Sequence, residues 1–371
     1  MALFGSTPAA STTSTTGDIT KDVEIPQNMS PKDSVSDIMF SPTADFLAVA
    51  SWDGNVFIYE INPNSGVSPK WAIKIGHPVL SVAWSTDGTR IACGDTESRF
   101  TIVDLRNEAS SGEITPKPPF PHKGHDAAVK AVRWFNMNGT EYLATGSWDK
   151  TVKFWDLSKQ DPLVGTLDCG ERVYTMDAHK SNNKHLMVIG TAERHIHMVD
   201  LNNPSKIYKT ITSPLKWQTR VLSCFADASG FAVGSIEGRC AIQYVDDKDT
   251  SLNFSFKCHR QQDSTQRDIA KVYSVNAISF HPQHGTFSTA GSDGTFHFWD
   301  KDAKHRLKGY PEVGGSITAT DFSRNGDIFA YAISYDWSKG YSANTPQYPI
   351  KIKLHPVQGD ECKPRPGSKK R

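Results

Sequence analysis

Short runs in which apolar and polar residues alternate recur along the chain: VSDIMF (35–40), VLSVAW (79–84), VKAVRW (129–134), VLSC (221–224), VNAISF (275–280) and ITATDF (317–322). Most are followed by a turn ending in Asp-Gly, Asn-Gly or Ser-Gly. This period of two predicts β-strands entering hairpins; a helix would bring its apolar positions back every three or four residues. A denser apolar strand follows each run, then a polar turn carrying an acid, then another strand. The copies read LAVASWDGNVFIYEI (47–61), IACGDTESRFTIVDL (91–105), LATGSWDKTVKFWDL (143–157), MVIGTAERHIHMVDL (187–201), FAVGSIEGRCAIQYV (231–245) and FSTAGSDGTFHFWDK (287–301). A seventh, IFAYAISYDWSKG (328–340), keeps the first strand and then departs.

The turn acids are Asp53, Glu97, Asp149, Glu193, Glu237, Asp293 and Asp336, spaced 44, 52, 44, 44, 56 and 43 residues apart. The two long spacings contain insertions, a Pro/Ser-rich one at 107–123 and a polar one at 247–271. A unit of about 40–45 residues built of short strands has the period of the WD-repeat β-propeller. One such sheet cannot cover both its faces, so the copies must stack into one ring. The expected fold is therefore all-β, a seven-bladed propeller over residues 21–358. A strand near 22–26 is expected to pair into the last blade and remove an open edge. Residues 1–20, rich in Ser and Thr, and 359–371, a basic segment ending CKPRPGSKKR, are expected to be disordered tails. Leu3-Phe4-Gly5 reads as an incidental dipeptide motif rather than a nucleoporin-like repeat.

Charge changes the picture only by exclusion. Lys+Arg 41 against Asp+Glu 40 leaves +1, so contact with nucleic acid must be local rather than a general wrapping. Apolar stretches are too short for a membrane helix, and no insertion is expected. The start lacks the apolar core of a secretion signal. The cysteines Cys93, Cys169, Cys224, Cys240, Cys258 and Cys362 are scattered, which suits a reducing compartment and neither a disulfide scaffold nor a zinc site.

The third copy carries the fullest signature. Its His125, Ser147, Asp149 and Trp155 resemble the hydrogen-bonded tetrad of WD repeats, which fixes turn and register and is structural rather than catalytic. No phosphate loop, HExxH or GxSxG is present, so a non-enzymatic platform without metal or cofactor is expected.

Other segments narrow the family. SPLKWQTR (213–220), GSIEGR (234–239), FSFKCHR (254–260) and FHFWDKDAK (296–304) resemble the branch of WD-repeat proteins holding the nuclear-pore mRNA export factor and the spindle-checkpoint propeller. YAISYDWSKG (331–340) and GTAER (190–194) favour the export factor, with the checkpoint adaptor of kinase segments as the alternative. The resemblance implies binding to the Glu-rich GLEBS motif of an FG nucleoporin, as a monomeric propeller in a heterodimer with that segment. It assigns Arg220 and Arg239 to the peptide's glutamates. It also implies an edge for single-stranded RNA or ribonucleoprotein made by Phe254, Phe256, Lys257, Trp299, Lys301, Lys304 and Arg306. Location at the nuclear pore and envelope, in the nucleus and in the cytoplasm follows from the same resemblance. Trp337 and Lys339 are expected to close the last blade, and Ser41-Pro42 and Ser213-Pro214 are candidate modification sites.

Overall fold

Each copy of the repeat folds into an antiparallel sheet whose first strand lines the axis of a seven-bladed ring. The structure is a computed structural model, and it describes residues 16–62, 66–116, 124–181, 184–263, 265–266 and 268–365. The inner strands run Val35–Phe40, Val79–Trp84, Val129–Met137, Val173–Lys180, Thr219–Cys224, Val275–Phe280 and Ile317–Phe322. Their order around the ring follows the chain, and the seventh packs against the first.

Two features of sequence make the blades stack. Every inner strand begins with a β-branched residue, Val35, Val79, Val129, Val173, Thr219, Val275 or Ile317, and all are buried. Facing the blade that follows, each second strand holds a small residue at one register position: Ala50, Gly94, Gly146, Gly190, Gly234, Ala290 or Ala332. A Cβ on Gly94 would stand 2.6 Å from the Val129 carbonyl oxygen, and one on Gly234 2.8 Å from Val275 Cγ1. Gly234→Leu is therefore expected to cost about 1–3 kcal/mol by overpacking, read as a lower urea midpoint with an unchanged slope.

Carboxylates add polar staples across the blade boundaries. Asp37 accepts the Val82 N–H at 3.1 Å and the Ser81 hydroxyl at 2.9 Å. Asp177 accepts the Cys224 N–H at 2.8 Å. Asp321 accepts the Phe40 N–H at 2.7 Å, joining the last blade to the first. Burial pushes the Asp321 carboxyl up to about 7.

The insertions depart from the repeat without breaking it. Part of the first, Gly112–Ile114, runs parallel to the outer strand Gly66–Lys74 of blade one, and among the described residues blade two has three strands. The second forms a 3-10 turn, Asp247–Leu252, and a hairpin of Arg260–Gln262 with Ala270–Val272.

Both chain ends build blade seven. Of the strand expected near 22–26, Val23–Glu24 pairs with Leu354 and Lys353 of Lys351–Pro356. The segments expected as tails are held further than their composition suggested. The Gly17 N–H donates to the Gly309 carbonyl at 2.7 Å. Cys362 is only 2% exposed, and its carbonyl accepts the Thr286 hydroxyl at 2.6 Å. The anchor is His355, whose Nδ1 lies 2.6 Å from Asp22 and whose Nε2 lies 3.2 Å from Glu361. Burial alone would lower the imidazole's pKa; bonds to the two carboxylates outweigh it and raise it to about 9. Residues 16–20 and 359–365 thus lie against the ring, tied to it through Gly17, Glu361 and Cys362. Leu3-Phe4-Gly5 and the final basic residues from 366 lie outside the described residues.

Candidate functional site

The polar tetrad of blade three is built somewhat differently from its expectation. His125 Nδ1 lies 2.7 Å from Asp149, while its Nε2 meets Thr145 Oγ1 at 2.6 Å. The same Thr145 oxygen accepts the Trp155 indole N–H at 2.8 Å. Thr145, not Ser147, is thus the hydroxyl between histidine and tryptophan. Ser147 lies two residues further along the same face, at the strand's end, where its hydroxyl donates to Ala127 O at 2.9 Å and accepts the Asp149 N–H at 3.1 Å. Burial would raise the Asp149 pKa, but hydrogen bonds from His125 and Thr151 hold it well below the ordinary carboxylate value. An acid held so firmly ionised and enclosed serves architecture rather than proton transfer.

A second tetrad went unread in the sequence. His259 Nδ1 meets Asp293 at 2.9 Å, His259 Nε2 meets Thr289 Oγ1 at 3.0 Å, and that hydroxyl accepts the Trp299 indole N–H at 2.9 Å. The signal was Cys258-His259 ahead of Ser292-Asp293, hidden by the inserted hairpin between them.

Arg220 and Arg239 enter the same blade at the same end. Arg220 follows Thr219, which pairs with Ser235, and Arg239 opens the third strand after the turn at 236–238. Arg220 sits on the wall of the central channel, where its Nη2 donates to the Asp336 carbonyl at 3.2 Å. Surrounding protein lowers its guanidinium pKa. Arg239 lies farther from the axis, half-buried, and donates to Ser255 Oγ at 3.1 Å. Neither has a carboxylate partner among the described residues. Gly238 makes the approach possible: its φ is +68°, and a Cβ there would strike the His259 carbonyl at 2.2 Å.

Apolar side chains accompany them on this face. Trp217 is 61% exposed just before the inner strand, and Trp148 and Ile236 occupy equivalent turn positions at 38% and 39%. Their shared place, directly after the last small residue of each second strand, was readable from the repeat. Trp337 packs against Trp52 with ring centroids 4.6 Å apart and the planes tilted by 33°, across the seam between blades seven and one. The serines of both Ser-Pro pairs are buried, Ser41 and Ser213 each spending its hydroxyl as an acceptor inside its turn.

The aromatic edge is partly assembled between blades five and six. Phe254 and Phe256 alternate on the outer strand Phe254–Lys257, their centroids 5.9 Å apart, and Phe256 lies 4.5 Å from Trp299. Lys304 Nζ sits 5.0 Å over Phe254, within cation–π range. Lys257, Lys304 and Arg306 are exposed. Two members lie deeper than the others. Trp299 is half-buried, with its indole N–H committed to the second tetrad and its ring against Phe256. Lys301 is 8% exposed, paired with Asp302 at 2.7 Å and laid 5.0 Å over Phe225, so it lies beneath the edge rather than on it. A lysine at a strand end can turn either way, and here the Phe225 ring decides.

Among the described residues no cluster of His, Cys, Asp or Glu could hold a metal ion, and no helix is long and apolar enough to cross a membrane.

The family described as "WD domain, G-beta repeat" matches residues 26–60, 70–101, 117–156 and 268–300. Along its whole length the chain is 57% identical to "mRNA export factor GLE2" of Chaetomium thermophilum, covering 99% of that protein. It is 51% identical to "Poly(A)+ RNA export protein" of Schizosaccharomyces pombe, over 99% of each chain. It is also 41% identical to "Protein Rae1" of Drosophila melanogaster, over 90% of this chain and 94% of that one.

Proposed function

The chain belongs to the family of WD-repeat mRNA export factors, and from that premise we propose that it is a non-enzymatic adaptor at the nuclear pore, docking the Glu-rich GLEBS segment of an FG nucleoporin on blade five. The observation that carries this reading is the pair Arg220 and Arg239. Both guanidinium groups open at one end of one blade, and among the described residues neither is neutralised by a carboxylate. Guanidinium is the cation best suited to holding carboxylates at a partly desolvated spot. Trp217, Trp148 and Ile236 supply apolar area on the same face for a peptide that becomes ordered as it binds. The ring is already rigid, so the ordering cost falls on the peptide.

Ribonucleoprotein is the second partner in this reading. The edge bearing Phe254, Phe256, Lys257, Lys304 and Arg306 offers stacking surface beside cations, the combination that holds unpaired bases and phosphates. The adaptor then acts in the nucleus and at its envelope, passes to the cytoplasm with cargo, and uses no cofactor.

Arg239→Glu tests the docking proposal. Its side chain is half-buried and contacts only a serine hydroxyl among the described residues, so the fold should survive with an unchanged melting temperature. Affinity for a GLEBS peptide, measured by calorimetry, is expected to fall at least tenfold. Equal affinity of the folded variant and the parent would remove Arg239 from the site.

A further inference from the structure

Every inner strand carries a bulge directly after its first residue: the register slips at Val35/Asp37, Val79/Ser81, Val129/Ala131, Val173/Thr175, Thr219/Val221, Val275/Ala277 and Ile317/Ala319. A bulge re-aims one side chain. The residues skipped are Ser36, Leu80, Lys130, Tyr174, Arg220, Asn276 and Thr318, a ring at one height around the channel. Most line a cavity of about 510 Å³.

Three of the ring's polar members are tied down. Ser36 donates to Val79 O at 2.5 Å, Asn276 donates to Ile317 O at 3.0 Å, and Thr318 meets Ser334 Oγ at 2.9 Å. The other three polar members sit on the consecutive blades three, four and five. Among the described residues Lys130 donates only to the Leu80 carbonyl, at a long 3.4 Å. Arg220 reaches only the Asp336 carbonyl, and the Tyr174 hydroxyl has no hydrogen-bond partner among the described residues. An ammonium, a phenol and a guanidinium thus share one stretch of wall with almost no internal partner.

We propose that Lys130, Tyr174 and Arg220 form a seat in the channel for a compact oxyanion of phosphate or carboxylate chemistry. The seat is distinct in composition from the peptide site, which it touches only through Arg220. Charge supports it. Burial pulls the Lys130 ammonium down to about 8, Asp37 attracts it without pairing, and Arg220 and Arg133 oppose it. A bound anion relieves that repulsion and supplies the acceptors the donors lack. Arg133 is already occupied by Asp177 at 3.0 Å and adds only field. The remaining acids lower in the channel, Asp177 and Asp321, are bonded to neighbouring blades, so the anion belongs at the bulge level and no deeper.

The test uses the free full-length protein at pH 7 with inorganic pyrophosphate and, separately, citrate, followed by calorimetry at constant ionic strength. Saturable binding of either is expected, and the tighter of the two says whether the seat prefers phosphate or carboxylate. Lys130→Met should weaken it at least tenfold and Tyr174→Phe about threefold, with both variants checked for an unchanged far-ultraviolet spectrum. Absence of saturable binding, or equal affinity in the parent and a folded Lys130→Met, overturns the proposal. No peptide is present in these measurements, so failure here leaves the docking proposal standing, and the reverse also holds.

Discussion

Replacing His355 with alanine is expected to destabilise the propeller by about 3–5 kcal/mol at pH 7, the cost of removing one partner from a buried charge group. His355 is held between Asp22 and Glu361, and Asp22 also accepts the Tyr331 hydroxyl at 2.6 Å. Both ring nitrogens face carboxylates, so the imidazole is doubly protonated in the folded state. Its folded pKa of about 9 exceeds the ordinary 6.5, and this fixes the sign of the pH dependence. The stabilisation is complete below about pH 6.5 and is lost as pH rises through 9. A shift of that size corresponds to about 3 kcal/mol. The stability difference between the parent and His355→Ala, read by urea denaturation across pH 6 to 9.5, should therefore shrink as pH rises, because Asp321 and Lys130 titrate alike in both proteins. A difference that stays constant across that range would assign the slope to another group.

His259→Ala is the second large effect, expected at about 3–4 kcal/mol. It removes the side chain that bridges Asp293 and Thr289, leaving a buried carboxylate and a cavity together. Burial would raise the Asp293 pKa, and the bond from His259 is foremost in holding it low. The loss also unpins the Thr289 hydroxyl that accepts the Trp299 indole N–H, and that ring rests against Phe256. Chemical denaturation reads the stability, and a red shift of tryptophan emission in the folded variant reads the loosened ring. Ser147→Ala in blade three should cost only about 1–2 kcal/mol, two neutral hydrogen bonds, because Thr145 carries the corresponding bridge there. A loss at Ser147 equal to that at His259 would contradict the division of roles.

The strands and their repeat were legible because they rest on local chemistry: alternation, turn residues, and an acid returning every 43 or 44 residues. Partners within the tetrads were not, because Thr145 and Ser147 share one face of a strand and only the register decides which meets His125. His259 was missed for a related reason. The hairpin at 260–272 pushes it 34 residues ahead of Asp293, whereas His125 precedes Asp149 by 24. Arg220 and Arg239 could be named from resemblance, yet their different depths in blade five depend on which strand holds each. Lys130 and Tyr174 look like ordinary exposed positions in VKAVRW and VYTM; only the bulge turns them toward the axis. The anchoring of the C-terminal segment was not legible either, since Glu361 is held by His355, itself bonded to Asp22 333 positions away, and Cys362 by Thr286 of a neighbouring blade.

That last blade, woven from Val23–Glu24 and Lys351–Pro356, governs how the molecule can be made. A chain emerging from a ribosome holds its first strand long before the partner for it exists, and six blades must wait with one flank open. The emergence of Lys351–Pro356 is what lets the circle shut. During that interval the waiting flank is the part most exposed to wrong pairing with another chain, so a cell that produces this protein has reason to shelter it until the closing strand has emerged.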